Sequence, residues 1–325
     1  MLRFLQSIFG GVERGHYPDS LVKEAIERAV DGTDPWLRAV SGYKKKLRPA
    51  IVRAIDHVVT LVNGLGPPIA ASPGCYGIDP RLKAFFISTA EMRQIISGDR
   101  NLAEFLKGPA GKASQVIALL VMEKQEKMGF GVALSGDIVI HDVPQVTLGF
   151  EGHRLLDPTG SEDETRRQLM RRAYDHLLSI ALGSIAIVKG ERENLERHRA
   201  LLQAKLDLFQ RGGWGFDETG SSEIPHSAVL EEQLAQIETK LQEVGGDDRM
   251  LEVYMGIVTD VLGRPEEYLW PTRETVIVDR LGIKRSEPAD GAPELTLDLL
   301  CNAAGQRRVM TLVALSGEEL RSPPG

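Results

Sequence analysis

Between residues 230 and 244 the apolar side chains fall at Leu230, Leu234, Ile237, Leu241 and Val244, in alternating steps of four and three. That spacing keeps one narrow stripe on a helix and demands a second helix to cover it. The stretch before it offers such a cover at Leu195, Leu202, Leu206 and Phe209, interrupted by Arg199. The glycine-rich segment Gly212-Gly213-Trp214-Gly215-Phe216, continuing to Ser227, is long enough to reverse the chain. The pattern predicts an antiparallel, coiled-coil-like helical hairpin, with Glu231, Glu232, Glu238 and Glu243 near Arg192, Arg197, Arg199 and Lys205. Exposed ion pairs of that kind contribute only about 0–1 kcal/mol, whereas burying one leucine contributes roughly 1.5–3 kcal/mol.

The first arm begins early. Ser161-Glu162-Asp163-Glu164 has the form of a capping box, in which serine and glutamate each satisfy a free backbone donor at a helix start. Leu169, Met170, Ala173, Tyr174, Leu177, Leu178 and Ala181 then keep the helical period. Gly183 and Gly190 are expected to bend or interrupt it at one point, each costing about 1 kcal/mol relative to alanine. Leu177 to Val188 reads as a buried helix, short of the roughly 18 residues that a membrane span requires. After Gly245-Gly246, Met250, Leu251, Tyr254, Ile257, Val258, Val261 and Leu262 mark a returning helix.

Around this insertion, at about 161–262, the sequence predicts an α+β fold. Residues 1–111 read as a mainly helical N-terminal region and 112–325 as an α+β domain carrying the hairpin. In the first region Leu21, Val22, Ala25, Ile26, Ala29 and Val30 form a stripe. Asp34-Pro35 and Asp79-Pro80 each set a capping carboxylate before a proline, and Pro49 is read as opening a helix that carries Ile51 to Val62. Gly66-Pro67-Pro68 through Gly74 is a turn-rich connection, and Gly108-Pro109-Ala110-Gly111 a boundary. A helix is expected from about Ala113 to Lys127. Short strands follow at Phe130–Leu134, Asp137–Asp142 and Gln145–Glu151, with turns at Ser135-Gly136 and Val143-Pro144. A second strand group at Thr275–Asp279, Leu295–Cys301 and Arg308–Leu315 is expected to share one antiparallel sheet with the first.

Composition narrows the function classes. The chain has 325 residues, 42% hydrophobic and 26% charged, which is ordinary globular usage. Its net charge of −7 supplies no field to gather phosphates, so nucleic acid is not an expected partner. Cys75 and Cys301 have no paired spacing, so neither a disulfide framework nor a zinc site is predicted, and a reducing, cytoplasmic setting is the natural reading. Met1 to Phe9 is too short an apolar run for a secretory signal. Leu2, Leu5, Ile8 and Phe9 fit core packing better than a membrane-surface anchor at residues 1–9.

The candidate sites are few. Of the seven histidines none pairs at i, i+4, and Asp56-His57 and Asp175-His176 are helix neighbours that do not face each other. His141, Asp142, His153 and Asp157 bracket the expected hairpin, so folding can bring a carboxylate–imidazole pair together there as general base or metal ligand, or leave them as strand ends and turn caps. Cys75 has no local base. Gly129-Phe130-Gly131 and Gly212–Gly215 lack phosphate-loop spacing and read as turns. Lys44-Lys45-Lys46-Leu47-Arg48 with Arg53 forms one basic cluster; Arg166, Arg167, Arg171 and Arg172 form a ridge suited to an acidic partner, or to the neighbouring Glu162, Asp163 and Glu164.

No cofactor or metal is predicted. The sequence favours a non-enzymatic interaction or regulatory module that binds a protein partner, or itself, through the hairpin and its tip residues Trp214 and Phe216. The alternative is a hydrolase or metal-dependent enzyme centred on residues 141–157.

Overall fold

The computed structural model describes residues 17–135, 138–210, 224–245, 249–279, 281–288 and 291–321. In chain order the elements are α1 (Asp19–Gly32), α2 (Tyr43–Asn63), β1 (Ile69–Ala70), α3 (Pro73–Tyr76), α4 (Pro80–Phe85), α5 (Thr89–Gly98) and α6 (Arg100–Lys107). Then come β2 (Gln115–Ser135), β3 (Ile138–Thr159), α7 (Glu162–Gln210), α8 (Ile224–Gly245) and α9 (Met250–Gly263). The chain finishes with α10 (Pro265–Tyr268), β4 (Leu269–Val278), β5 (Lys284–Arg285), β6 (Glu294–Asn302), β7 (Arg307–Ser316) and α11 (Gly317–Arg321). The class is α+β, with an N-terminal helical region, one sheet drawn from both strand groups, and long helices inserted between those groups. Two compact units share the chain: a sheet unit from Ile55–Tyr174 and Pro265–Gly325, and a helical unit from Glu13–Ala54 and Asp175–Arg264.

In the sheet unit the strand order is β3-β2-β7-β6-β4-β5, antiparallel throughout, with β1 added to β7 in parallel. β1 lies in the segment expected to be only a connection. A bridge between Thr147 and Ile283, with the Leu148 N–H donating to the Gly282 carbonyl at 2.7 Å, joins the two ends of this path. One face of β2, at Val116, Ala118, Leu120 and Met122, meets Leu82, Phe85, Phe86, Met92, Ile96 and Leu102 from α4–α6 in a single core. Toward the other face, Thr165 on α7 donates to the Ile117 carbonyl, and His57 Nε2 on α2 donates to the Leu269 carbonyl at 2.7 Å.

The helix expected over 113–127 is therefore strand. Residues Val116 to Leu120 are all buried, because the sheet is covered on both faces there. A strand covered twice reads as a continuous apolar run rather than an alternation, and a following Glu-Lys-Gln-Glu-Lys stretch supplies good helix formers. The three short strands are likewise two long ones. Val143-Pro144 is no turn: Pro144 pairs with Phe130 inside β3. Gly129 and Gly131 lie within β2.

β3 bends through three bulges. Two residues of β2 span three of β3 at Ile117–Leu119 against Thr159–Leu156, at Val121–Glu123 against Arg154–Glu151, and at Gly131–Ala133 against Val143–Ile140. Each extra residue adopts a left-handed backbone: Asp157 at φ 48°, Gly152 at φ 65° and Asp142 at φ 58°. Because the extra residues all fall on β3, β2 keeps an unbroken alternation from end to end.

Local signals set the helix starts. Asp34 accepts from Trp36 N–H, Asp79 from Arg81 N–H, and Ser161 from Glu164 N–H. Asp34 opens a 3₁₀ turn at Pro35–Ala39 rather than an α-helix, and Pro49 lies inside α2 rather than at its start. α7 runs 49 residues without a break at Gly183 or Gly190. Its segment from Leu177 to Val188 is buried on one side only, since Leu182 and Ile187 face solvent.

In the helical unit α1, the start of α2, α9 and the later part of α7 bury Leu21, Ile26, Leu47, Ile51, Leu177, Ile185, Tyr254 and Val258. On α7 Leu178, Ala181, Ile185, Leu195, Leu202 and Leu206, buried or half-buried, lie on the three-and-four seam, and Leu177 is buried beside it. On α8 Ile237 is buried, and Leu230, Leu234 and Leu241 are half-buried.

Two expectations follow. Gly152→Val places a β-branched side chain in a left-handed backbone and should lower the denaturant-measured stability by at least about 1–2 kcal/mol, whereas Asp142→Gly should be neutral or stabilising. In the helical unit the Lys44 ammonium, joined by Tyr43 and Arg38 and opposed by partial burial, holds the Glu27 carboxyl at about 2, below its ordinary 4.5. A depressed carboxylate stabilises the fold above pH 4.5 and loses that contribution as pH falls toward 2. Glu27→Gln should therefore cost no more than about 1 kcal/mol at neutral pH, with the difference from wild type vanishing in acid unfolding near pH 2.

Candidate functional site

His141, Asp142, His153 and Asp157 are not brought together. All four ride on the one strand β3, where a rise of about 3.3 Å per residue, with the two intervening bulges allowed for, places His141 and His153 roughly 30 Å apart along the strand. His141 and Asp142 are exposed. His153 Nε2 donates to the Phe85 carbonyl at 2.8 Å, and its ring stacks on Phe86 with centroids 5.0 Å apart, which ties β3 to α4. Asp157 is a bulge residue bound by Arg172 Nε at 2.7 Å and Nη2 at 2.8 Å. Among the described residues no group of three or more His, Cys, Asp or Glu is arranged to hold a metal ion.

The arginine ridge is largely turned inward. Arg166 donates through Nη1 to the Val62 carbonyl at 2.7 Å and through Nη2 to Leu65 and Gly66, at 3.2 and 3.1 Å, while its Nε binds Glu162 at 2.8 Å. It thus caps the C-terminal end of α2, whose last carbonyls have no helical partner. Arg167 pairs with Glu164, Arg172 with Asp157, and Arg171 is half-buried. In the helical unit's basic cluster Lys44 meets Glu27, Lys46 meets Glu252 and Arg48 meets Asp19. Cys75 sits in α3, packed against the core, and Cys301 is buried on β6; both are free thiols. Residues 1–9, Trp214 and Phe216 lie outside the described residues.

Each unit has a cleft among its described residues. That of the helical unit, about 530 Å³, is lined by Met255, Gly256, Thr259 and Gly263, and its charges pair with one another as Lys46–Glu252 and Arg264–Asp260. That of the sheet unit, about 340 Å³, lies between Val143–Val146 of β3 and Ile283–Ser286.

The sheet unit's least expected feature is the far half of the β2–β3 hairpin. β7 pairs with β2 only from Gln115 to Met122. Immediately beyond, Lys124 is enclosed by the carboxylates of Glu274 and Glu126, and Lys284 reaches Glu126 at 3.2 Å. Burial would lower the Lys124 pKa, but the two carboxylates prevail and raise it. This charged rim ends the core. Past it, on the same face of β2, Met128, Phe130 and Val132 are 85%, 79% and 52% exposed. Their sequence signal, an apolar residue at every second position after a charged run, is legible only in part: Phe130 and Val132 fall in the strand expected at Phe130–Leu134, while Met128 lies between it and the helix expected up to Lys127.

Compared with known proteins, the chain matches no family model, no curated protein and no solved structure. Among the described residues no helix is long and apolar enough to cross a membrane.

Arg166→Ala should lower stability by about 2–3 kcal/mol, since hydrogen bonds from a charged group to backbone carbonyls are among the stronger ones; the Val62 carbonyl alone keeps a backbone partner, the Leu65 N–H. Chemical denaturation reads this directly, and Arg166→Lys, which cannot span three carbonyls, should restore only part of the loss.

Proposed function

We propose that this chain is a non-enzymatic interaction or regulatory module whose contact surface is the helical arm formed by the later part of α7 and by α8. The observation that carries the reading is burial confined to a seam. Along α8 the described side chains withdrawn from water are Leu230, Leu234, Ile237 and Leu241, and the rest of its surface is open. Two helices that spend their apolar residues on each other in a coiled-coil pair leave broad outer faces for a partner. Those faces are not wholly polar: Ile187, Leu201 and Val229 are 64%, 53% and 52% exposed. Ile187 and Leu201 stand two heptads apart, on one line of α7. The partner is a protein, and the acidic net charge gives nucleic acid no general attraction. Two free thiols suit a reducing compartment such as the cytoplasm.

The reading is tested by two double variants, Trp214→Ala with Phe216→Ala, and Ile187→Glu with Leu201→Glu, compared with wild type by proximity labelling in the native host. The expected result is loss of the same labelled partner in at least one variant, with circular dichroism and thermal midpoint unchanged. An identical set of labelled proteins for all three chains contradicts it.

A further inference from the structure

We infer that the far half of the β2–β3 hairpin joins a second copy of this chain, β2 pairing antiparallel with β2 about a two-fold axis at Phe130. The argument begins with an open edge. Among the described residues no strand pairs with β2 beyond Met122 on the side away from β3. A two-stranded ribbon is marginal in water, and an unpaired strand edge is a template for another strand. The opposite edge of the ribbon is blunted by Pro144, by the bulge at Asp142 and by the Thr147–Ile283 bridge. The β2 edge carries no proline and no bulge.

The second step is the exposed apolar face. Met128, Phe130 and Val132 lie beyond the rim of Lys124, Glu126, Glu274 and Lys284, so the chain's own core does not reach them. Pro144 and Val146 stand opposite Phe130 and Met128 on β3 and widen the same face.

The third step chooses the occupant. The open edge, Gln125–Ser135, has its midpoint at Phe130, and the residues around it, Met128-Gly129-Phe130-Gly131-Val132, match in type when read in either direction. Antiparallel pairing about Phe130 sets Phe130 against its own counterpart, Met128 against Val132, and Gly129 against Gly131. Glu126 then faces position 134 and Lys127 position 133, so no charge opposes a like charge. Such self-complementarity is what an isologous contact requires. The pair forms a continuous four-stranded sheet with one apolar face, which meets the minimum for stability that a lone hairpin fails.

The test uses the full chain. Light scattering coupled to size exclusion should give a particle of twice the chain's mass that dissociates on dilution. Phe130→Lys, at a solvent-facing position that the fold does not need, should give a monomer with an unchanged circular dichroism spectrum. In a Cys75→Ser background, Phe130→Cys should form an intermolecular disulfide under mild oxidation. Val146→Cys should not, because on the outer strands its two copies stand about 20 Å apart, three strand spacings across and four residues along. A wild-type monomer at every concentration, a dimer that survives Phe130→Lys, or equal crosslinking at 130 and 146 would each overturn the inference.

Discussion

The sheet unit depends on β2 changing its surroundings along its length while keeping its own geometry. From Gln115 to Met122 it is flanked by β3 and β7, and Val116 to Leu120 are buried on both faces. Burial of that extent is the main stabilising term a strand can contribute, and it fixes register, since a one-residue slip would exchange the two faces. Beyond Met122 the same alternation continues with one neighbour fewer. The bulges at Asp142, Gly152 and Asp157 bend β3 against it and leave β2 regular.

Several polar residues that resemble catalytic groups serve this arrangement instead. His153 and His57 each use Nε2 to tie a strand to a helix, one through the Phe85 carbonyl and the other through that of Leu269. Asp99 caps α6 and also accepts from the Leu155 N–H at 2.9 Å, while Asn101 donates to the Leu155 carbonyl. The outer edge of β3 between two bulges is thereby satisfied by side chains where no strand continues the ladder. Arg166 closes the end of α2 in the same way. The sheet unit thus uses His57, His153, Asp99, Asn101 and Arg166 on backbone groups that irregular strands and helix ends leave open.

How legible this was depended on the range of each signal. The starts at Asp79-Pro80 and Ser161 were readable because capping acts across three residues, and the stripe of Leu21 to Val30 because one face of α1 is buried. Of the residues spaced by three and four on the two arms, Leu195, Leu202, Leu206, Leu230, Leu234, Ile237 and Leu241 are withdrawn from water, while the side chains of Phe209 and Val244 lie outside the described ones. β2 was not readable, because burial on both faces erases the period of two that marks a strand. The left-handed residues Asp142 and Asp157 gave no local sign; their conformation follows from pairing with β2. Arg166 reads as a surface charge, since its three carbonyl acceptors lie about a hundred positions earlier in the chain. The proposed cluster at 141–157 rested on a turn at Val143-Pro144, and without that turn its members are spread along one strand.

Amide hydrogen exchange across Gln115–Ser135 tests most directly that β2 is one strand passing from a closed core to an open edge. In dilute protein the account predicts strong protection from Val116 to Met122 and a sharp fall beyond it, with the protection of Gln125–Ser135 rising as concentration increases. Rapid exchange at Val116–Met122, or protection that stays even along the whole strand at all concentrations, would contradict it.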